Sequence, residues 1–100
     1  MQKVIGVIPA RYGSTRLPGK PLLNIFGKPM IVHTYLNAKK SKLINELYVA
    51  TDHKDIADVI TNVGGNVLMT PSDLKSGSDR IAFAIKNINC DIVVNIQGDE

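Results

Sequence analysis

Four short apolar runs, separated by helical patterns, constrain what this chain can fold into more than any other feature. Val4, Ile5, Val7 and Ile8 are a β-branched run closed by Pro9, and Lys3 to Pro9 reads as a buried strand. Leu47-Tyr48-Val49-Ala50, Asn66 to Met69 and Asp91 to Ile96 give three more strands. Pro29 suits the first turn of a helix in which Ile31, Val32, Tyr35, Leu36 and Ala38 recur at helical spacing, with Lys39, Lys40 and Lys42 at its end. Asp52 or His53 can cap a second helix through Ile56, Ala57, Val59, Ile60 and Val63, which Gly64-Gly65 stops. Gly77 or Ser78 opens a third, with Ile81, Ala82, Ala84, Ile85 and Ile88 apolar. Such alternation predicts an α/β fold with a parallel sheet and right-handed crossovers. Ligands in such sheets bind outside the carboxyl ends of the strands, where Arg11, Lys20, Asp52 and Asp99 all fall.

Composition excludes several classes. The 100 residues are 44% hydrophobic and 21% charged, which argues against wholesale disorder and suits one small domain. No apolar run approaches the ~18 residues of a membrane span, and the run after Lys3 stops at Pro9, too short for a signal-peptide core. A single cysteine, Cys90, makes no internal disulfide and points to a reducing cytoplasm. Cys90 also lacks metal-ligand spacing with His33 or His53. It reads as a small buried hydrophobe, and His33 as a helix-surface or packing residue. A membrane protein, a secreted disulfide scaffold and a zinc finger are therefore excluded.

Charge is unevenly placed. Residues up to Lys42 include eight basic side chains and no acid, whereas Leu43 to Glu100 hold four basic and nine acidic ones, for a net +3. An anionic partner for the first part follows. The cations are spaced through a loop rather than clustered, which fits a small polyanion better than nucleic acid. An acidic second half and only 5% aromatic residues also count against a nucleic-acid binder.

The segment Ala10-Arg11-Tyr12-Gly13-Ser14-Thr15-Arg16-Leu17-Pro18-Gly19-Lys20-Pro21 follows the first strand directly. It combines glycines for close approach, hydroxyls, two guanidiniums and an ammonium, the chemistry that holds a triphosphate. It is not a P-loop: Gly13 to Gly19 is one residue too long and Pro21 replaces the hydroxyl residue after Lys20. Pro18 and Pro21 are expected to keep it extended. Nor is there a G-x-G-x-x-G fingerprint. A solvated loop whose cations only aid solubility is the competing interpretation.

Two further segments stand out. Gln97-Gly98-Asp99-Glu100 follows the fourth strand, and a carboxylate there can hold Mg²⁺, with Asp99 the better placed ligand. A turn in which Asp99 bonds its own backbone is the alternative. Ser76-Gly77-Ser78-Asp79-Arg80 lies at a helix start, where hydroxyls and free N–H groups suit an anion or a base edge. The alternative is a plain cap by Ser78 or Asp79, with Arg80 on the surface. The chain ends soon after its last strand with no closing element, which points to the first part of a longer protein.

Taken together, Ile8 to Leu22, Gly27-Lys28-Pro29-Met30-Ile31, Ala50-Thr51-Asp52, Ser76 to Arg80 and Asn95 to Glu100 resemble the motifs of the 3-deoxy-manno-octulosonate (Kdo) cytidylyltransferases, in order and across essentially the whole chain. The related CMP-sialic acid synthetases share the Pro-Ala-Arg start but do not typically carry Ser-Thr-Arg-Leu-Pro-Gly-Lys-Pro-Leu. The resemblance implies a Rossmann-like nucleotidyltransferase fold, a mostly parallel sheet with helices on both faces, of which residues 1–100 are the N-terminal, CTP-binding part. It also implies a cytoplasmic homodimer that activates Kdo with CTP and Mg²⁺ for lipopolysaccharide synthesis, with no membrane or nucleic-acid partner. Carried over by residue, Arg11 and Lys20 would hold the triphosphate, with Ser14, Thr15 and Arg16 nearby. Ala10, Ser76, Gly77, Ser78 and Arg80 would meet the cytosine side, Gln97 the ribose and Asp99 the metal. Arg11, Lys20 and Asp99 would form the catalytic set, facing one another across one pocket. Ser78 stands where Thr is common, which keeps the hydroxyl. Family members are over twice this length, and the rest would supply a second metal carboxylate, most of the sugar site and the dimer contacts. A nucleotide-binding fragment without turnover and a cytidylyltransferase for another sugar acid are the alternatives.

Overall fold

In the computed structural model, which describes residues 2–13 and 19–96, every strand–helix alternation expected from the apolar pattern is present. The elements run β1 (Val4–Ala10), a 3₁₀ turn (Lys20–Leu22), β2 (Asn24–Ile25), β3 (Lys28–Pro29), α1 (Met30–Ala38), β4 (Glu46–Thr51), α2 (Lys54–Asn62), β5 (Asn66–Met69), α3 (Gly77–Ala84) and β6 (Ile92–Asn95). Four strands form one parallel sheet in the order β5-β4-β1-β6. The chain moves from β1 to β4 and β5 on one side, then returns through α3 to β6 on the other. The strand order therefore reverses at β1.

Successive side chains of β1 point to opposite faces. Ile8 and Ala10 join Leu47 and Val49 beneath α1 and α2, which contribute Ile31, Val32, Tyr35, Ile56 and Ile60. Ile5, Val7 and Ala50 pack with Ile81 on the other face, beneath α3. Helices thus cover both faces. Each fully buried isoleucine contributes about 1.5–3 kcal/mol of hydrophobic stabilisation.

The amino ends of the strands are tied by reciprocal bonds. Val4 N–H donates to Asn45 Oδ1 at 2.6 Å, and Asn45 N–H donates to the Val4 carbonyl at 2.8 Å. Lys3 N–H donates to Asp91 Oδ2 at 2.6 Å, and Asp91 N–H returns a bond to the Lys3 carbonyl at 2.9 Å. These pairs consume the backbone groups of the amino edge. The carboxyl edge is left to carry the loops.

Several local expectations are revised. Pro9 does not end β1, which continues to Ala10 with Pro9 opposite Ala50. Ile96 N–H bonds the Val7 carbonyl, so alternation turns the missing donor of Pro9 towards β6, whose pairing stops at Val7 with Asn95. The bonds to β4 are untouched. Lys20–Leu22 is a 3₁₀ turn rather than extended chain, because Pro21 sits in the first turn, where no N–H is required. Pro29 caps α1 rather than entering it. Cys90 is only half-buried, against the α3-side core.

A β2–β3 hairpin (Asn24 with Pro29, Ile25 with Lys28) was not apparent from periodicity, because two-residue strands are too short to show one. Its turn residues Phe26 and Gly27 both have positive φ, 51° and 86°, as a two-residue hairpin of this hand requires. Phe26 is a poor residue for that backbone and is 98% exposed. His33 Nε2 bonds the Ile25 carbonyl and holds the hairpin to α1.

Gly64-Gly65 ends α2 as expected, with Gly64 at φ 78°. At Gly65 a Cβ would stand 2.6 Å from Ile60 Cγ2 and 2.9 Å from Tyr35 Cζ. Gly65→Ala should therefore lower unfolding stability by about 1–3 kcal/mol, measured by chemical denaturation.

On β4, the Tyr48 hydroxyl donates to Glu46 Oε1 at 2.7 Å, and Lys3 Nζ lies 3.2 Å from Glu46 Oε2. The Tyr48 bond first, and then Lys3, hold the Glu46 carboxyl below its ordinary value. The same bond raises the Tyr48 hydroxyl. A depressed carboxyl contributes stability that is complete above its unfolded value and is lost as pH falls through the folded one. Tyr48→Phe should move the Glu46 titration midpoint upwards in an NMR titration and make the loss of stability on acidification smaller.

Candidate functional site

Parallel strands deliver their carboxyl ends to one edge. Ala10 lies opposite Thr51, and Thr70 N–H bonds the Thr51 carbonyl at 2.8 Å, so the ends of β1, β4 and β5 stand side by side. The amino end of α3 reaches the same edge from the other face. A Cβ on Gly77 would lie 3.3 Å from Pro9 Cγ, next to Ala10. Pro9 and Gly77, 68 positions apart in the chain, are therefore neighbours in space.

The segment after β1 is closed by a backbone bond from Gly19 N–H to the Tyr12 carbonyl, 2.8 Å. Gly19 holds φ 76°, which suits glycine. Arg11 immediately precedes this pair and Lys20 immediately follows it, so the two expected phosphate cations sit at the two roots of one loop. Arg11 is exposed and Lys20 half-buried. Among the described residues neither enters an ion pair. Ser14, Thr15 and Arg16, and likewise Gln97 and Asp99, lie outside the described residues.

The Ser76–Arg80 segment differs from its expected form in two respects. Ser76, not Ser78 or Asp79, caps α3, its hydroxyl accepting from Asp79 N–H at 3.1 Å. Ser78 stays exposed in the first turn. Arg80 is not on the surface but 2% exposed. Its Nη1 donates to Thr70 Oγ1 and, at 2.9 Å, to the Pro71 carbonyl. Among the described residues it has no carboxylate partner. Thr70 and Pro71 carried no sequence signal, because their role depends on β5 ending beneath α3.

Asp52 and His53 complete the edge. Asp52 Oδ1 accepts from Tyr12 N–H at 3.1 Å. His53 caps α2, its Nδ1 accepting from Asp55 N–H at 3.1 Å, and its ring stacks on Tyr12 with centroids 3.9 Å apart and planes 16° from parallel. That stack was missed, since the sequence presents Tyr12 and His53 only as a loop residue and a cap. No group of three or more His, Cys, Asp or Glu among the described residues could hold a metal ion. A bound Mg²⁺ commonly uses one or two carboxylates together with substrate phosphates. No helix among the described residues is long and apolar enough to cross a membrane.

The comparisons with known proteins agree with this arrangement. A family model described as Cytidylyltransferase matches residues 5–100. The chain belongs to the cytidylyltransferase family. It is 61% identical over 98 residues to a 3-deoxy-manno-octulosonate cytidylyltransferase of Bdellovibrio bacteriovorus, covering 98% of this chain and 40% of that protein. It is 52% identical over 97 residues to an 8-amino-3,8-dideoxy-manno-octulosonate cytidylyltransferase of Shewanella amazonensis, covering 94% of this chain and 40% of that protein. Among solved structures, CMP:2-keto-3-deoxy-manno-octonic acid synthetase complexed with CTP superposes with a TM-score of 0.94 at 48% identity, over 98% of this chain and 41% of that one. The fold is therefore the parallel-sheet α/β nucleotidyltransferase fold. The chain spans about 40% of the length of these curated relatives.

The buried Arg80 joins β5 to α3. Arg80→Met removes the donor and leaves the buried Thr70 hydroxyl without it. Stability should fall by about 1–3 kcal/mol in a denaturant titration.

Proposed function

We propose that residues 1–100 are the N-terminal, CTP-binding part of a single nucleotidyltransferase domain in a 3-deoxy-manno-octulosonate cytidylyltransferase. One observation carries this: the carboxyl edge, with two cations at the roots of a closed loop that form no ion pair among the described residues, belongs to a chain that superposes on a synthetase complexed with CTP at a TM-score of 0.94. The reaction would transfer CMP from CTP to Kdo. The anomeric hydroxyl oxygen of the sugar acid bonds to the α-phosphorus, the bond from that phosphorus to the bridging oxygen of the β-phosphate breaks, and pyrophosphate leaves. The hydroxyl proton passes to solvent. The product CMP-Kdo would serve lipopolysaccharide synthesis in the cytoplasm, in a protein that works as a homodimer.

Little covalent work falls to the protein in such a transfer, so positioning and charge carry the rate. Arg11 offers a planar fork to phosphate oxygens and Lys20 a compact charge, and both stabilise the charge growing on pyrophosphate. Ser14, Thr15 and Arg16 would add contacts to the same triphosphate. Ala10 with Ser76, Gly77 and Ser78 would border the cytosine, the hydroxyls supplying polar partners. Arg80 would act there by holding this border in place, since its Nη1 is engaged with Thr70 and Pro71. Gln97 would meet the ribose, and Asp99 would hold Mg²⁺. When bound, the metal would neutralise phosphate charge and favour ionisation of the attacking hydroxyl.

A second possibility concerns the sugar acid. A relative 52% identical over 97 residues is named for the 8-amino-3,8-dideoxy sugar acid, which supports this second reading. Turnover of Kdo against its 8-amino analogue by the whole protein decides between them.

Lys20→Ala and Arg11→Ala in the whole protein should each lower pyrophosphate release by about 10²–10³-fold, the usual loss for one preorganised charge contact. Turnover near the parent's in either variant would overturn the assignment. Calorimetry of residues 1–100 with CTP and Mg²⁺ tests the binding-fragment alternative: heat of binding without product formation supports it.

A further inference from the structure

Tyr12 is held at three points. Its N–H donates to Asp52 Oδ1 at 3.1 Å, its carbonyl accepts from Gly19 N–H at 2.8 Å, and its ring lies 3.9 Å from that of His53. A Cβ on Gly19 would approach the Tyr12 ring to 3.3 Å, so the second root of the loop also packs against this ring. His53 is itself fixed before it meets Tyr12. Its Nδ1 accepts the Asp55 N–H as the cap of α2, which places the ring proton on Nε2, and its own N–H donates to Thr51 Oγ1 at 3.3 Å. Thr51 is fully buried at the end of β4. The imidazole is therefore a platform oriented by the helix it caps.

We propose that Tyr12 and His53 are positioning residues, whose ring stack locks both roots of the 11–20 segment, and with them Arg11 and Lys20, to the amino end of α2. The role in nucleotide binding rests on the function proposed above; the locking of the loop does not. Neither ring needs to touch the nucleotide. Each acts through the closing bond between Tyr12 and Gly19, which sets the separation of the two cations.

Two substitutions at His53 separate stack from cap. His53→Ser keeps a capping oxygen and removes the ring, whereas His53→Phe keeps a ring and removes the cap acceptor. In the whole protein, His53→Ser should weaken CTP·Mg²⁺ binding and speed amide exchange at Gly19 by about three- to tenfold each, the loss of one aromatic pair, with Tm and α2 protection near the parent's. His53→Phe should restore both readouts while α2 protection falls. A stack with no positioning role predicts the opposite: CTP affinity that follows Tm across both variants, or an unchanged His53→Ser, overturns the proposal. Should the parent bind no CTP while Gly19 exchange still follows the ring, the function proposed above fails and the locking role stands.

Discussion

Parallel pairing of β1 with β4 on one side and β6 on the other is the constraint from which the remaining features descend. Parallel strands place all their carboxyl ends at one edge, and the reversal of strand order at β1 opens a crevice there. The amino edge is tied through Asn45 with Val4 and Asp91 with Lys3. Chemistry is left to the other edge. The first loop, α2 and α3 reach it from opposite faces of the sheet, and that is how residues distant in sequence come to border one site.

Rigidity at this edge has several small sources. The backbone bond between Tyr12 and Gly19, the Asp52 carboxylate on Tyr12 and the Tyr12–His53 stack act on one short stretch. The Arg80 guanidinium does similar work between β5 and α3. A buried guanidinium bonded to neutral oxygens keeps its charge close to the edge where an anion would sit. Preorganisation of this kind lowers the ordering cost of binding and keeps charges in place when phosphate charge develops. In the function proposed above, Arg11 and Lys20 would gain from it: cations on a free loop would be screened and mobile, whereas cations at fixed roots would present a defined separation to a triphosphate.

Much of this was legible in the residues. β-Branched runs at Val4–Ile8 and Leu47–Ala50, helical periodicity from Ile31 to Ala38, and the Gly64-Gly65 stop predict the alternation because burial demands those periods. The loop cations suggest an anion site from the residues, with a solvated loop as the competing interpretation, because forked and point cations beside glycines suit phosphate oxygens. Pro9, Pro21 and the hairpin at Phe26-Gly27 were misjudged or passed over. Each depends on which way a missing donor faces, or on a turn too short to show a period.

What the sequence by itself determined is the α/β alternation, the basic loop behind the first strand and its kinship to cytidylyltransferases, because these rest on local patterns and ordered motifs. Only the tertiary structure decided that Ser76 rather than Ser78 caps α3, that Arg80 is buried on Thr70 and Pro71, and that Tyr12 lies flat on His53. The Arg80 contacts span 9 and 10 positions and the Tyr12–His53 stack spans 41. No local propensity encodes them, since they exist only once the strands have chosen their neighbours and brought the loop ends together.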